Sequence, residues 1–274
     1  MTGHLLAESS FAGSEGSIHY MGWLPEGGAE AATHTVLIVH GYAEYGGRYS
    51  HVAEVFAAAG AAVYAPDHLG HGHSDGERAL ITDFEHIVDD LEALAAIAEA
   101  EVPGRPMAMV GHSMGGLLTA RFVERNPDRL VGAAFLGAVL GDWKWAREVL
   151  ALPELPVTDS NPMGMSRDET VCRAYETDPL VYHGNYKRPL LESEVVCLDR
   201  FNAEIGAIAI PVAFFHGTAD PFVPYGDSLD AVERMPSADT EIHLYEGAKH
   251  ELVNETNRDE VIADLHSFIT RVSA

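Results

Sequence analysis

The chain has 274 residues, long enough for one large domain that carries an insertion. Forty-two acidic residues against 17 basic ones give a formal net charge of −25 at pH 7, and only three of the basic residues are lysines. This composition excludes nucleic acid as an expected partner, because phosphate binding needs a basic surface that the sequence lacks.

Short apolar runs alternate with longer amphipathic runs, which indicates a mostly parallel central sheet flanked by helices. In chain order, the predicted strands are 33–41, 61–67, 106–113, 129–140, 211–220 and 240–247. The predicted helices between and after them are 50–60, 81–102, 114–128, 226–235 and 258–272. The fold class expected from this order is α/β.

The alternation is interrupted between residues 141 and 208, where no strand pattern is visible and tryptophans and prolines are frequent. Because the strand-helix alternation resumes afterwards, we interpret this segment as a helical cap, or lid, inserted above the sheet. The predicted domains are therefore a core of residues 1–140 and 209–274 and a cap of residues 141–208. Apolar residues of this segment suit either ordinary packing onto the sheet or contact with an apolar ligand or a lipid surface: Trp143, Trp145, Leu150, Leu152 and Leu155.

The stretch VGHSMGG sets Ser113 between two glycines, after a predicted strand and directly before a predicted helix. This is the G-x-S-x-G pattern of a strained turn that exposes a nucleophilic hydroxyl. A serine hydroxyl is a poor nucleophile at neutral pH, so a histidine base and an acid that orients the base are expected downstream. Two backbone N–H groups, those of Met114 and Tyr42, are the expected donors to the oxyanion.

The favoured acid is Asp220, in the turn GTADPFVP after a predicted strand, and its rival is Asp142 at the end of an earlier strand. The favoured base is His250, in the loop of EGAKHELVNE. His243 and His266 fall inside a predicted strand and a predicted helix, which indicates structural roles. The chain order Ser113, Asp220, His250 is the order expected in sheets of this type.

His68, His71 and His73 lie close together in DHLGHGHSDG, but glycines separate them and no cysteine or paired carboxylate completes a ligand set. We therefore expect no metal and no other cofactor. The N-terminal segment lacks the pattern of a signal peptide. Cys172 and Cys197 are too few for a disulfide framework, so reduced thiols in the cytoplasm are expected.

Six segments resemble, in order and approximate spacing, the bacterial monoacylglycerol lipases of the α/β-hydrolase fold. They are HGYAEYGGRY, DHLGHGHSDG, VGHSMGG, SRDETVCRAYETDPLVYHG, FHGTADPFVP and YEGAKHELVNE. The resemblance implies a triad of Ser113, Asp220 and His250, and it suggests three residues near the glycerol head group: Arg48, His112 and Tyr175. The chain departs from the family pattern at Ala43-Glu44-Tyr45, where the family has Gly-Glu-His.

The function that the resemblance implies is hydrolysis of monoacylglycerols to fatty acid and glycerol through an acyl-enzyme. A lysophospholipase or a broad carboxylesterase would use the same machinery. Other classes of the fold are less favoured, because dehalogenases and epoxide hydrolases put Asp at position 113 and proline-releasing peptidases usually have Trp at position 114. A non-catalytic binding module is the remaining alternative, since a fold alone does not define a function.

Overall fold

A computed structural model describes residues 4–157 and 161–274 of the chain. In these ranges eight strands form one sheet, in the order β1-β2-β4-β3-β5-β6-β7-β8. Their bounds are β1 His4–Ala12, β2 Ser17–Leu24, β3 His34–Val39, β4 Ala61–Pro66, β5 Met107–His112, β6 Gly132–Leu136, β7 Val212–Gly217 and β8 Thr240–Tyr245. The pairs β1–β2 and β2–β4 are antiparallel, and all other neighbouring pairs are parallel.

Eight α-helices accompany the sheet in the described ranges. They are α1 Ser50–Ala58, α2 Phe84–Glu101, α3 Met114–Arg125, α4 Lys144–Leu150, α5 Glu169–Thr177, α6 Arg188–Glu204, α7 Tyr225–Glu233 and α8 Arg258–Val272. Asp83 and Asp168 cap the first turns of α2 and α5, each accepting a hydrogen bond from the backbone N–H two residues later. Among the described helices, none is both long and apolar enough to cross a membrane.

The predicted fold class is confirmed, and each of the six predicted strands corresponds to one of β3 to β8. Strands β1 and β2 were not predicted, although the buried side chains of Ile18 and Tyr20 alternate with more exposed ones as in a half-buried strand. The strand predicted over residues 129–140 is shorter in the structure and spans Gly132–Leu136. It ends at Leu136 because Gly137, at φ 52°, turns the chain in a backbone conformation that favours glycine.

Two apolar layers cover the sheet, one on each face. The layer on one face is formed mainly by α1 and α8, and the layer on the other face by α2, α3 and α6. Leu190, Leu198 and Phe201 of α6 are fully buried in the same cluster as α2 and α3. The last helix of the cap segment therefore packs into the main core, and the predicted boundary between core and cap stays a prediction.

Gly115, in the first turn of α3, lets that helix approach the end of β3 closely. A methyl group on its Cα would overlap the carbonyl oxygens of Val39 and His40. Gly111, at the end of β5, is crowded in the same way by Gly115 and Thr119. The glycines around Ser113 are thus required by backbone packing, which fixes where the strand ends and the helix begins.

We predict that Gly115→Ala lowers the free energy of unfolding by about 2 kcal/mol, because the new methyl group forces α3 away from β3. Gly226→Ala is the matched control, since Gly226 lies in α7 with no atom near the position of an added Cβ. The control should be neutral or more stable by up to about 1 kcal/mol. Denaturant unfolding at constant m-value measures both variants, and equal stabilities would contradict the packing argument.

Candidate active site

Ser113 lies at the turn between β5 and α3, with φ 54° and ψ −120°. A positive φ is uncommon for a residue with a side chain and marks a strained backbone. Neighbouring strand ends hold the turn: Ser113 N–H donates to Leu136 O at 2.9 Å, and Val139 N–H donates to Ser113 O at 3.1 Å. The strain is therefore maintained by the surrounding backbone, at the position predicted for the nucleophile.

Asp220 follows β7 and His250 follows β8, and the structure brings the two side chains together. His250 Nδ1 lies 2.7 Å from Asp220 Oδ2. The other carboxylate oxygen accepts hydrogen bonds from the backbone N–H groups of Phe222 and Val223, at 2.8 and 3.0 Å. The carboxylate is thus fixed from two sides and orients the imidazole ring.

Burial and charge set the ionisation of this pair. Burial alone would raise the pKa of Asp220, but His250 and His216 beside it hold that pKa well below its ordinary value. Burial alone would lower the pKa of His250, and the Asp220 carboxylate raises it above its ordinary value instead. The pair therefore holds an ionised carboxylate against an imidazole that gains a proton readily.

The rival acid, Asp142, lies elsewhere. Its side chain is 56% exposed and forms an ion pair with Arg147 of α4 at 2.6 Å. His216 was not predicted to contact the acid, yet its Nε2 atom lies 3.3 Å from Asp220 Oδ2. The position of His216 inside β7, four residues before Asp220, was the sequence signal that could have indicated this contact.

Ser113 and His250 line one cavity of about 270 Å³, together with Tyr42 and Met114. No hydrogen bond joins the Ser113 and His250 side chains in the described part of the chain. Catalytic hydrogen bonds of this kind often tighten only when substrate is bound. Neither the Tyr42 nor the Met114 backbone N–H donates a hydrogen bond to another described residue, so both amides are free to receive an anion.

A buried carboxylate that the sequence analysis passed over connects the loops around Ser113. Glu44 Oε1 accepts hydrogen bonds from Gly41 N–H at 2.7 Å and from the Tyr49 hydroxyl at 2.7 Å, and it lies 2.8 Å from His112 Nδ1. Its other oxygen accepts from Arg48 at 3.2 Å. Burial alone would raise the pKa of Glu44, but His112 and Arg48 hold it well below its usual range.

The three residues suggested for the head group take different positions. His112 and Tyr175 line the cavity. Arg48 lies behind the cavity wall, where it pairs with Glu251 at 2.5 Å and stacks over the Tyr175 ring at 4.9 Å from the ring centre. Two buried carboxylates, Glu44 and Glu251, thus hold the Arg48 guanidinium.

The loop that departs from the family pattern contacts the segment 141–208. Ala43 adopts φ 68°, a conformation that favours glycine, and its carbonyl accepts a hydrogen bond from Tyr182 N–H at 2.8 Å. The Tyr45 hydroxyl donates to Asp178 Oδ2 at 2.8 Å. Both partners belong to the cap segment, so this loop anchors it beside Ser113.

The histidine-rich loop packs against His40, which directly follows β3. His68 N–H donates to His40 Nε2 at 2.9 Å, and the two rings lie 4.0 Å apart. His71 Nδ1 lies 3.0 Å from the carbonyl of Leu69, and burial lowers the pKa of His71 to about 3. His68 and His71 are therefore packed, neutral and hydrogen-bonded to backbone groups.

A sheet of this order with a strained serine at its central turn is that of an α/β-hydrolase. More particularly, the chain belongs to the serine aminopeptidase S33 family, whose model matches residues 30–257. It is 33% identical over 273 residues to the monoacylglycerol lipase of Mycolicibacterium smegmatis, covering 96% of each chain. The resemblance that the motifs predicted is therefore confirmed.

Two further comparisons agree. The human monoglyceride lipase is 28% identical over 85% of this chain and 79% of its own length. The crystal structure of the monoacylglycerol lipase of Paleococcus ferrophilus superposes with a TM-score of 0.78 at 26% identity, covering 98% of this chain and all of that one.

We predict that Glu44→Gln lowers the free energy of unfolding by about 3 kcal/mol, because it removes the charge that compensates the buried Arg48. Glu148→Gln, on the exposed face of α4, is the matched control and should stay within about 0.5 kcal/mol of the parent protein. Urea denaturation of the three proteins at pH 7 measures the effect. A Glu44→Gln variant as stable as the control would show that the carboxylate charge contributes nothing.

Proposed function

We propose that this protein hydrolyses monoacylglycerols to fatty acid and glycerol, with Ser113, His250 and Asp220 as its catalytic triad. The observation that carries the proposal is the 2.7 Å contact of Asp220 with His250, which lines the same cavity as the strained Ser113. The names of the relatives, monoacylglycerol lipase and monoglyceride lipase, support the substrate class.

In the first half of the reaction, His250 Nε2 takes the hydroxyl proton of Ser113 as Oγ attacks the ester carbonyl carbon. The carbonyl oxygen becomes an oxyanion and receives hydrogen bonds from the Tyr42 and Met114 amides. The free donors of these amides and the N-terminus of α3 support this role. The Asp220 carboxylate stabilises the imidazolium that forms.

To complete this first half, the bond between the carbonyl carbon and the glycerol oxygen breaks, His250 returns the proton to that oxygen, and the acyl-enzyme remains. Water then attacks the acyl-enzyme while His250 again accepts a proton. The bond between the carbonyl carbon and Ser113 Oγ then breaks, His250 returns its proton to Oγ, and the fatty acid leaves. The raised pKa of His250 supports a group that both takes and returns a proton near neutral pH.

We assign the glycerol end of the substrate to the side of the cavity that His112 and Tyr175 line. Arg48 acts through Tyr175, since it lies behind that ring and has no place in the cavity lining. The acyl chain lies against the aromatic side, where Trp145 and Tyr186 line the cavity. Each CH₂ group buried there contributes about 0.8 kcal/mol.

We further propose that the cap touches the lipid surface from which the substrate comes. Leu152, Val157 and Met163, all in the cap segment, are 47%, 77% and 47% exposed, which supports an apolar contact despite the acidic net charge.

We propose the cytoplasm as the compartment, supported by the buried free thiols of Cys172 and Cys197.

We predict that Ser113→Ala and His250→Ala each lower kcat by roughly 10⁴ to 10⁶, and Asp220→Asn by about 10⁴, because the three side chains act as a unit. Asp142→Asn is the matched control and should retain the parent rate, since Asp142 is exposed and pairs with Arg147. Monoacylglycerol turnover and fluorophosphonate labelling measure these effects. An inactive Asp142→Asn beside an active Asp220→Asn would overturn the acid assignment.

A further prediction concerns how kcat/KM depends on pH. His250 must be neutral to accept the Ser113 proton, so kcat/KM should rise with pH and level off above the pKa of His250. Because Asp220 raises that pKa, the midpoint should lie above the reference value of about 6.5. The residual activity of Asp220→Asn should show a midpoint at lower pH. A rate that falls across this range would contradict a histidine base.

Selectivity between lipid esters gives another prediction. A cavity of about 270 Å³ offers room for one chain, so a triacylglycerol has to displace the cap and leave polar groups unpaired. We expect kcat/KM for a long-chain monoacylglycerol to exceed that for the matched triacylglycerol by at least roughly a hundredfold, which corresponds to about 2.7 kcal/mol.

Tyr175→Phe should narrow this gap, because it weakens turnover of the monoester more than turnover of a nitrophenyl ester without glycerol. Tyr225→Phe, in α7 and outside the cavity lining, is the control that should leave the gap unchanged. Equal rates on monoacylglycerol and triacylglycerol would leave only a general esterase, and faster cleavage of a lysophospholipid would make this protein a lysophospholipase.

A further inference from the structure

A buried carboxyl group lies in the cavity wall and has no task in the proposed reaction. Glu194, on α6, is 1% exposed and lines the cavity that Ser113 lines. Within the described ranges its carboxyl group forms no hydrogen bond, and Oε2 is fully enclosed without a partner. A buried polar group without a partner costs free energy, so a ligand that completes it would bind with an advantage.

The protonation state of Glu194 narrows the class of ligand. Burial raises the pKa of this carboxyl group to about 8, so at pH 7 most molecules carry the neutral acid. A neutral carboxyl group offers one O–H donor and retains acceptor capacity. Its chemistry therefore fits an uncharged ligand group that both donates and accepts, as an alcohol does.

Two more polar atoms among the cavity-lining residues lack partners in the described part of the chain. They are the Tyr42 hydroxyl and the Trp143 indole N–H, both fully enclosed. Aromatic contacts connect them: Tyr42 stacks on Tyr186 at 4.3 Å, Tyr186 lies 5.3 Å from Trp145, and Trp145 lies 5.3 Å from Trp143. Burial raises the pKa of Tyr42 and of Tyr186, and Glu194 lies near enough to both hydroxyl groups to add to that rise. We call these four aromatic residues and Glu194 the aromatic wall.

The aromatic wall differs from the polar cluster of Glu44. In that cluster Arg48 and His112 compensate the carboxylate, and both oxygens accept hydrogen bonds. In the aromatic wall the rings offer apolar faces to a hydrocarbon chain, and the unpaired polar atoms lie among these rings. Such a surface suits a mostly apolar chain that carries a single polar group.

We propose that the aromatic wall is a subsite for a hydroxyl group carried on the acyl chain, which makes glycerol monoesters of hydroxylated fatty acids the preferred substrate class. The substrate hydroxyl hydrogen-bonds with the Glu194 carboxyl group, which lines the cavity and has no partner among the described residues. The proposal rests on the proposed function for the position of the ester at Ser113. An acyl chain without the hydroxyl leaves Glu194 unpaired.

The test is a panel of glycerol monodecanoate and its hydroxydecanoate counterparts, with the hydroxyl group at each successive carbon from the third to the last. For at least one position, kcat/KM of the parent protein should exceed the value for plain decanoate by about tenfold, which corresponds to about 1.4 kcal/mol. Glu194→Leu should abolish or reverse this ratio. Glu194→Gln, whose amide both donates and accepts, should keep most of it.

Two outcomes would overturn the subsite. They are a ratio near one at every position of the hydroxyl group, and an unchanged ratio in Glu194→Leu. If the unchanged ratio comes with an equal loss on plain and hydroxylated esters, in a variant that melts like the parent, Glu194 acts toward glycerol instead. If the parent protein hydrolyses no monoacylglycerol, the proposed function fails separately, and nitrophenyl esters of the same acids decide the hydroxyl ratio.

Discussion

The geometry around Ser113 depends on the hydrogen bonds that the buried carboxylate of Glu44 accepts. One of its oxygens accepts from Gly41 N–H in the loop after β3 and contacts His112 at the end of β5. His112 in turn reaches the carbonyl of His250, with Nε2 at 3.3 Å, in the loop after β8. Gly41 and His112, which are far apart in sequence, thus contact the same carboxylate, and His112 connects it to the loop of His250. The low pKa of Glu44 keeps this carboxylate charged at neutral pH.

Two buried carboxyl groups, one beside the cavity and one in its wall, differ in ionisation. Asp220 remains charged because His250, His216 and two backbone N–H groups compensate for its burial. Glu194 receives no such compensation, so burial raises its pKa and favours the neutral acid. The first group is suited to stabilising an imidazolium, and the second to hydrogen bonding with an uncharged substrate group.

The central elements of the fold follow from local patterns in the sequence. Strands β3 to β7 are buried on both faces and therefore appear as continuous apolar runs, and helix α8 has the bounds that its pattern predicts. The turn at Ser113 was predictable because its glycines are required by contacts within and next to it. The β1–β2 hairpin was missed, because the apolar alternation of β2 is broken by Gly22.

For the site, the sequence by itself determined which residues follow the carboxyl ends of parallel strands, and these ends meet at one edge of the sheet. That placement is the basis for pairing Asp220 with His250, and in the structure their side chains lie 2.7 Å apart. Only the tertiary structure decided that Asp142 faces solvent, that Arg48 lies behind the cavity, and that Glu194 lies unpaired within it. Burial and pairing depend on contacts between distant segments, and no local pattern encodes them.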